Sequence, residues 1–110
     1  MMVLRPDILA TMKRIEIVID EKSLDDMLKL LRDADVRGYT VIKKAGGLGS
    51  TGERNPDDYV LEEHNAVMVL ACEEDQAEKV IMTLQPKLKD FGGMCLISDC
   101  QWVIGPAISF

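Results

Sequence analysis

The sequence is poor in the groups that most enzymes rely on. It has one histidine, His64, and three cysteines, with no H-x-x-x-H pair, no C-x-x-C pair and no serine in the setting of a nucleophile elbow. That argues against an enzyme and leaves no catalytic residue to name. The cysteine count is odd, and Cys95 and Cys100 are too far apart for a C-x-x-C redox or zinc motif. Reduced thiols packed as small hydrophobes, in a cytoplasmic protein, fit best, with a Cys95–Cys100 redox link as the alternative. Positive charge is also scarce: Lys and Arg number 13 against 19 Asp and Glu, a net charge of −6. No basic stripe is available to a nucleic acid. A bound anion would have to be held by local backbone amides and a few placed cations against a repulsive overall field. There is no run of 18 apolar residues, so no membrane-spanning helix is expected. The opening MMVLRPDILAT lacks the basic start and apolar block of a secretory signal.

What is present is a chain of 110 residues with 47% hydrophobic residues, enough for one domain around one modest core. Residues 1–11 read as a tail and 12–110 as the domain. In KRIEIVID, Ile15, Ile17 and Ile19 alternate with Arg14, Glu16, Val18 and Asp20, the signature of a strand. KSLDDMLKLLRDADVRG begins with Ser23 and carries Asp26 three residues on, close to a capping box. Leu24, Met27, Leu28, Leu31 and Ala34 recur at helical spacing, and Gly38 marks the exit from the connection that follows. YTVIKK is a second strand and AVMVLAC a third. EDQAEKVIMTLQPKLKDFGG is a second helix with Ala77, Val80, Ile81, Leu84 and Leu88 inward. Pro86 should end or kink it, and Gly92 and Gly93 close it. MCLIS is a fourth strand, with QWVI continuing or pairing after a break at Asp99. The order β-α-β, β-α-β is an α+β, ferredoxin-like antiparallel arrangement. Its two helices cover one sheet face, yet the third and fourth strands are apolar on both faces. A closed oligomer burying the open faces is therefore expected.

Between the second and third strands, Gly46 to His64 has no periodicity, and a structureless segment of that length is usually functional or disordered. Its glycines allow close backbone approach, and successive amides there can cradle an anion, with Ser50, Thr51 and the Arg54 fork as further donors. It is neither a Walker P-loop nor a dinucleotide-binding G-x-G-x-x-G. The acidic residues Asp57, Asp58, Glu62 and Glu63 beside His64 are too unspecific for a metal site to be assigned. Tyr59 reads as a loop tyrosine packed on its own base.

MKRIEIVID from Met12, SLDDMLKLL, GYTV from Gly38 and GGLGS from Gly46 together resemble the PII signalling family over roughly 12–104. They are most similar to PII-like proteins associated with bicarbonate uptake and carboxysomes. The resemblance implies a ferredoxin-like homotrimer with a long T-loop between strands 2 and 3. It also implies adenine nucleotides (ADP, AMP or ATP) in clefts between subunits, and no permanently bound cofactor. Carried over, the cleft is lined by Gly38, Tyr39 and Thr40 and by Gly46, Gly47, Gly49 and Ser50. Gly92, Gly93 and Met94 approach from the neighbouring subunit, and Arg54 lies near the phosphates. Bicarbonate is a candidate second ligand at Gly49, Ser50 and Arg54, and a membrane transporter for bicarbonate the implied partner of the T-loop. The chain departs from the standard family in having Ser50, Thr51 and Gly52 after Gly49 in place of an arginine-glutamine-lysine run, which removes the glutamine for magnesium and 2-oxoglutarate. GGMCLISDCQW carries no cation beyond Lys89. ADP or AMP is therefore expected to bind at least as well as ATP. Tyr59 does not sit in the uridylylation sequence. A trimeric ferredoxin-like metal binder of the cation-tolerance type is the alternative.

Overall fold

The computed structural model describes residues 6–49, 52–54 and 64–105, of which 6, 48, 49 and 52–54 are described as backbone only. In chain order the elements are β1 (Leu9–Asp20), α1 (Leu24–Asp33), β2 (Thr40–Ala45), the short strands β3 (Gly47–Gly49) and β4 (Gly52–Arg54), β5 (Asn65–Cys72), α2 (Glu74–Leu84) and β6 (Met94–Val103). Four strands form one sheet in the order β2-β5-β1-β6. β1 is antiparallel to both β5 and β6, and β2 is antiparallel to β5. This is the expected ferredoxin-like βαββαβ arrangement, with one addition. β3 and β4 pair as a hairpin within the segment expected to be structureless, with Gly47 opposite Arg54 and Gly49 opposite Gly52.

The alternation in β1 sets the core. Ile15, Ile17 and Ile19 are buried, and across the ladder they face Leu70, Met68 and Ala66, which are buried too. Helix α1 lays Leu24, Met27 and Leu31 on this layer and α2 lays Ala77, Val80 and Leu84. Each fully buried aliphatic side chain contributes about 1.5–3 kcal/mol. The opposite sheet face is greasy, as its sequence requires. Val18, Val67 and Val69 run along it, and Ile42, Met94 and Leu96 are 54%, 50% and 53% exposed. No helix among the described residues is long and apolar enough to cross a membrane.

The helix ends differ from expectation. Ser23 makes no side-chain cap, because a 3-10 turn over Glu21–Ser23 leads into α1 and holds Ser23 at φ −93, ψ 2, outside the extended region an N-cap uses. The C-terminus of α1, for which the sequence offered no closing residue, is closed by Asp35. Asp35 adopts φ 63 while its amide donates to the Arg32 carbonyl and the Val36 amide to that of Leu31. This is a Schellman motif with aspartate, which tolerates the left-handed region better than most residues. Gly38 lies further along the connection. Lys79 of α2 pairs with Asp35 at 2.9 Å, and Gln76 donates to the Ala34 carbonyl at 2.5 Å, so α2 holds the end of α1. Pro86 acts as expected: α2 stops at Leu84 and Pro86 sits in the 3-10 turn Gln85–Lys87.

Two boundaries move. β6 runs unbroken through Asp99, which pairs with the Lys13 ammonium across the ladder; that hydrogen bond and charge raise the lysine's pKa. β1 begins three residues before Met12, with Leu9, Ala10 and Thr11 opposite Val103, Trp102 and Gln101.

Lys79 beside Asp35 holds that carboxyl below its ordinary value of 3.8. A carboxyl depressed on folding stabilises the fold above its unfolded value, and that stabilisation is lost as pH falls through the lowered one. The pair is exposed, so its effect is small. A Lys79→Met variant is expected to melt slightly below the wild type at neutral pH. The gap should close as the pH is taken below 3.8, as scanning calorimetry across pH will show.

Candidate functional site

The residues that the sequence marks as a ligand site fall at the two ends of β2. At its start, Gly38, Tyr39 and Thr40 line a hollow of about 320 Å³, together with Arg14, Val69–Ala71, Cys100 and Trp102. The hollow exists because β5 ends at Cys72, opposite Lys13, whereas β1 and β6 continue as a two-stranded ribbon to Leu9 and Val103. The step where the third strand stops leaves Trp102 and Cys100 beside the entry to β2. Gly38 also borders a neighbouring hollow of about 220 Å³, formed by Asp35–Arg37, Leu70–Glu73 and Gln76 where α1 ends and α2 begins.

At the far end, β2 carries one extra residue. The register passes from Ile42 opposite Val67 to Ala45 opposite Asn65, and Lys44 in this bulge has φ 56. A lysine in the left-handed region is uncommon. Here its amide donates to the Glu21 carboxylate at 2.7 Å. Glu21 in turn donates its own amide to the His64 carbonyl at 2.9 Å, and Asp20 donates to the Phe91 carbonyl at 3.1 Å. The end of β1 thus joins the root of the hairpin, the start of β5 and the turn after α2. That turn is a second Schellman motif: Gly92 has φ +62, its amide reaches Lys89 and that of Gly93 reaches Leu88. A Cβ on Gly93 would collide with the Val18 carbonyl oxygen, so only glycine fits. Met94 follows, half exposed on the open sheet face.

Gly46 and Gly47 therefore stand at the same end of the sheet as Gly92 and Gly93, and away from Gly38, Tyr39 and Thr40. The five steps from Thr40 to Ala45 span about 16 Å of strand. The residues form two groups at opposite ends of β2, where the sequence reading set Gly46 and Gly47 in one cleft with Gly38. Gly49 and Arg54 belong to the hairpin, Arg54 returning opposite Gly47 at its base. Ser50, Thr51, Tyr59 and the acidic Asp57, Asp58, Glu62 and Glu63 lie outside the described residues. His64 is buried, 6% exposed, and its Nε2 has no hydrogen-bond partner among the described residues. No group of three or more His, Cys, Asp or Glu able to hold a metal occurs among the described residues.

The cysteines do not form the Cys95–Cys100 link. Five residues apart on one strand, they point to opposite faces and lie about 16 Å apart, far beyond disulfide reach. Burial pushes the Cys95 thiol up; burial first and then the proximity of Cys100 do the same to Cys72, which disfavours the thiolate in both.

The sequence model of the family described as nitrogen regulatory protein P-II matches residues 12–104. The chain belongs to the P-II family. No curated protein matches it. Among solved structures, this P-II protein is similar to CPII, a nitrogen regulatory PII-like protein from Thiomonas intermedia K12, bound to ADP, AMP and bicarbonate. The identity is 23%, the TM-score 0.76, and the match covers 86% of this chain and 91% of that one. The apo form of CPII matches at 23% identity and TM-score 0.67, over 86% and 94%. A PII-like signaling protein from Thermus thermophilus matches at 20% and 0.73, over 86% and 92%. At these identities the likeness establishes the fold.

Arg14, Glu21, Cys100 and Trp102 escaped the sequence reading. Arg14 alternates with buried isoleucines and reads as a solvent-facing residue. Trp102 enters the hollow only through its register opposite Ala10. Glu21 carries no local signal, because its partner Lys44 is 23 residues away.

Two substitutions test the far group. Glu21→Ala removes the acceptor of the strained Lys44 amide and is expected to cost about 1–2 kcal/mol in urea unfolding, with faster amide exchange in Lys44. Gly93→Ala forces β1 and the turn apart and is expected to cost about 2–3 kcal/mol by the same measurement.

Proposed function

We propose that this P-II protein is a non-catalytic regulator. It works as a homotrimer, takes adenine nucleotides in clefts between subunits, and reports their presence through the segment between β2 and β5. The observation that carries this reading is the division of the glycine-rich residues into two half-sites at opposite ends of β2. One copy cannot close them on a single ligand, but the start of β2 in one copy and the hairpin root in the next can. The exposed apolar sheet face supplies the reason for association, since three such faces bury one another in a closed trimer.

CPII was solved with ADP, AMP and bicarbonate, and we extend that ligand set to this chain. Amides of Gly46 and Gly47 at the hairpin root, of Gly49 further along it, and of the turn with Gly92, Gly93 and Met94 serve phosphate, with Ser50 as a further donor and Arg54 as the fork. Gly38, Tyr39 and Thr40 supply the other wall. Beyond Lys89 the last strand has no cation, so ADP and AMP are favoured over ATP. Bicarbonate occupies the place of a terminal phosphate against Gly49, Ser50 and Arg54, and by linkage it must alter nucleotide affinity as much as nucleotide alters its own. The protein acts in the cytoplasm, where nucleotide occupancy orders or releases the T-loop, which engages a membrane transporter for bicarbonate. No observation favours the cation-tolerance alternative.

A thermal-shift panel of AMP, ADP, ATP with and without magnesium, cyclic AMP, 2-oxoglutarate and bicarbonate tests the scheme. A ligand at a hundred times its Kd adds about 2.7 kcal/mol. ADP and AMP are expected to raise the midpoint at least as far as ATP, and 2-oxoglutarate not at all. Failure of every adenine nucleotide sinks the reading; a strong magnesium-dependent ATP preference sinks only the ranking. Arg54→Ala is expected to weaken ADP about tenfold by calorimetry, with the trimer intact by light scattering.

A further inference from the structure

Two non-glycine residues among the described ones have positive φ, Asp35 and Lys44. Asp35 closes a helix and is of a type that tolerates left-handed backbone. Lys44 is not, and it interrupts a strand. A bulge built on a left-handed residue normally has glycine there. Gly46 and Gly47 follow directly, yet the bulge falls on the lysine. The strain is offset from outside β2: the Lys44 amide donates to the Glu21 carboxylate at 2.7 Å, a charge-assisted bond. Glu21 is itself fixed at both backbone groups. Its amide donates to the His64 carbonyl at 2.9 Å, and its carbonyl accepts from the Leu24 amide. One residue thus holds both roots of the segment between β2 and β5, the outgoing root through its side chain and the returning root through its backbone. The alternative to the bulge is specific. Continuing the pairing of Ile42 with Val67 would set Lys44 opposite Asn65 and Ala45 opposite His64, with Lys44 in ordinary extended backbone. The two arrangements differ by one residue, about 3.3 Å of strand.

We propose that Glu21 is a register latch: its carboxylate selects the bulged pairing of β2 with β5 over the regular one, and so fixes where the β3–β4 hairpin starts. In the latched register Ala45 stands on the open sheet face beside Asn65; in the regular register Lys44 takes that place. Anything that neutralises the carboxylate, or draws it to another donor, opens the latch. Gly46 and Gly47 then move by one residue with the hairpin, which makes the contact a two-state element. Resting on the nucleotide-binding reading above, the latch also sets affinity, because it holds the amides of these glycines in place.

Cross-strand nuclear Overhauser effects read the register directly. In the wild type, Asn65 is expected to show contacts with Ala45. In Glu21→Ala these are expected to give way to contacts with Lys44, whose amide exchanges about tenfold faster or more. Glu21→Gln keeps an acceptor oxygen and is expected to stay bulged. Lys44→Gly removes the strain, so Glu21→Ala made in that background is expected to keep Ala45 opposite Asn65. Retention of that pairing in Glu21→Ala alone, or its loss in the double variant, overturns the latch. Should Glu21→Ala fail to fold, Lys44→Val decides. A β-branched side chain disfavours left-handed backbone, so this variant is expected to slip with Glu21 in place, and one that stays bulged overturns the proposal. In calorimetry with ADP, Glu21→Ala is expected to bind about tenfold more weakly than wild type and the double variant to recover. ADP binding alike to wild type and to a slipped Glu21→Ala overturns the control of affinity. ADP binding to neither overturns the nucleotide-binding reading, while the register result still decides the latch.

Discussion

The structure depends on β1 being hydrogen-bonded on both sides while one of its faces is committed to the core. Ile15, Ile17 and Ile19 admit one register, because a slip of one residue would drive Arg14, Glu16 and Val18 beneath the helices. β5 and β6 take their registers from β1, and β2 takes its register from β5. Every loop position follows from that chain of references. The turn after α2 meets the end of β1, the hairpin emerges beside Glu21, and the ribbon of Leu9–Met12 with Cys100–Val103 overhangs the entry to β2. The same commitment leaves the other sheet face uncovered, since two helices span only one side.

Much of this architecture was legible from periodicity. The isoleucine alternation, the two helical stripes, the stop imposed by Pro86 and the apolar second sheet face all follow from spacing, because each is dictated by neighbours within a few residues. The features that escaped depend on distant partners. Asp35 ends α1 where a glycine would be sought, with Lys79 of the other helix holding its carboxylate. Asp99 reads as a strand breaker until Lys13 is seen across the ladder. Leu9–Thr11 read as tail because their partners lie some ninety residues on. The β3–β4 hairpin is built from glycines whose two-residue alternation carries no hydrophobic signal.

The candidate site was legible as a set of residues and illegible as an arrangement. The glycines at positions 38, 46, 47, 92 and 93 stand out by type, yet whether they converge depends on which way β2 runs. Gly38 and Gly46 flank β2 and so stand at its opposite ends, and the antiparallel pairing with β5 brings Gly46, not Gly38, to the end of the sheet where Gly92 and Gly93 lie. Arg14, Cys100 and Trp102 come to line the hollow at the start of β2 through a step in the sheet, where β5 stops and its neighbours continue, and no local pattern encodes where a third strand stops. The cysteine pair illustrates the reverse case: close in sequence, Cys95 and Cys100 are parted by the pleat.

The bulge at the end of β2 has a geometrical consequence of its own. Before it, even-numbered residues such as Thr40 and Ile42 share the open face with Val69 and Val67; after it, Ala45 does so beside Asn65. The extra residue is a half-period phase shift: it sets Ala45 on the open face, where an uninterrupted strand would have turned that position toward the helices.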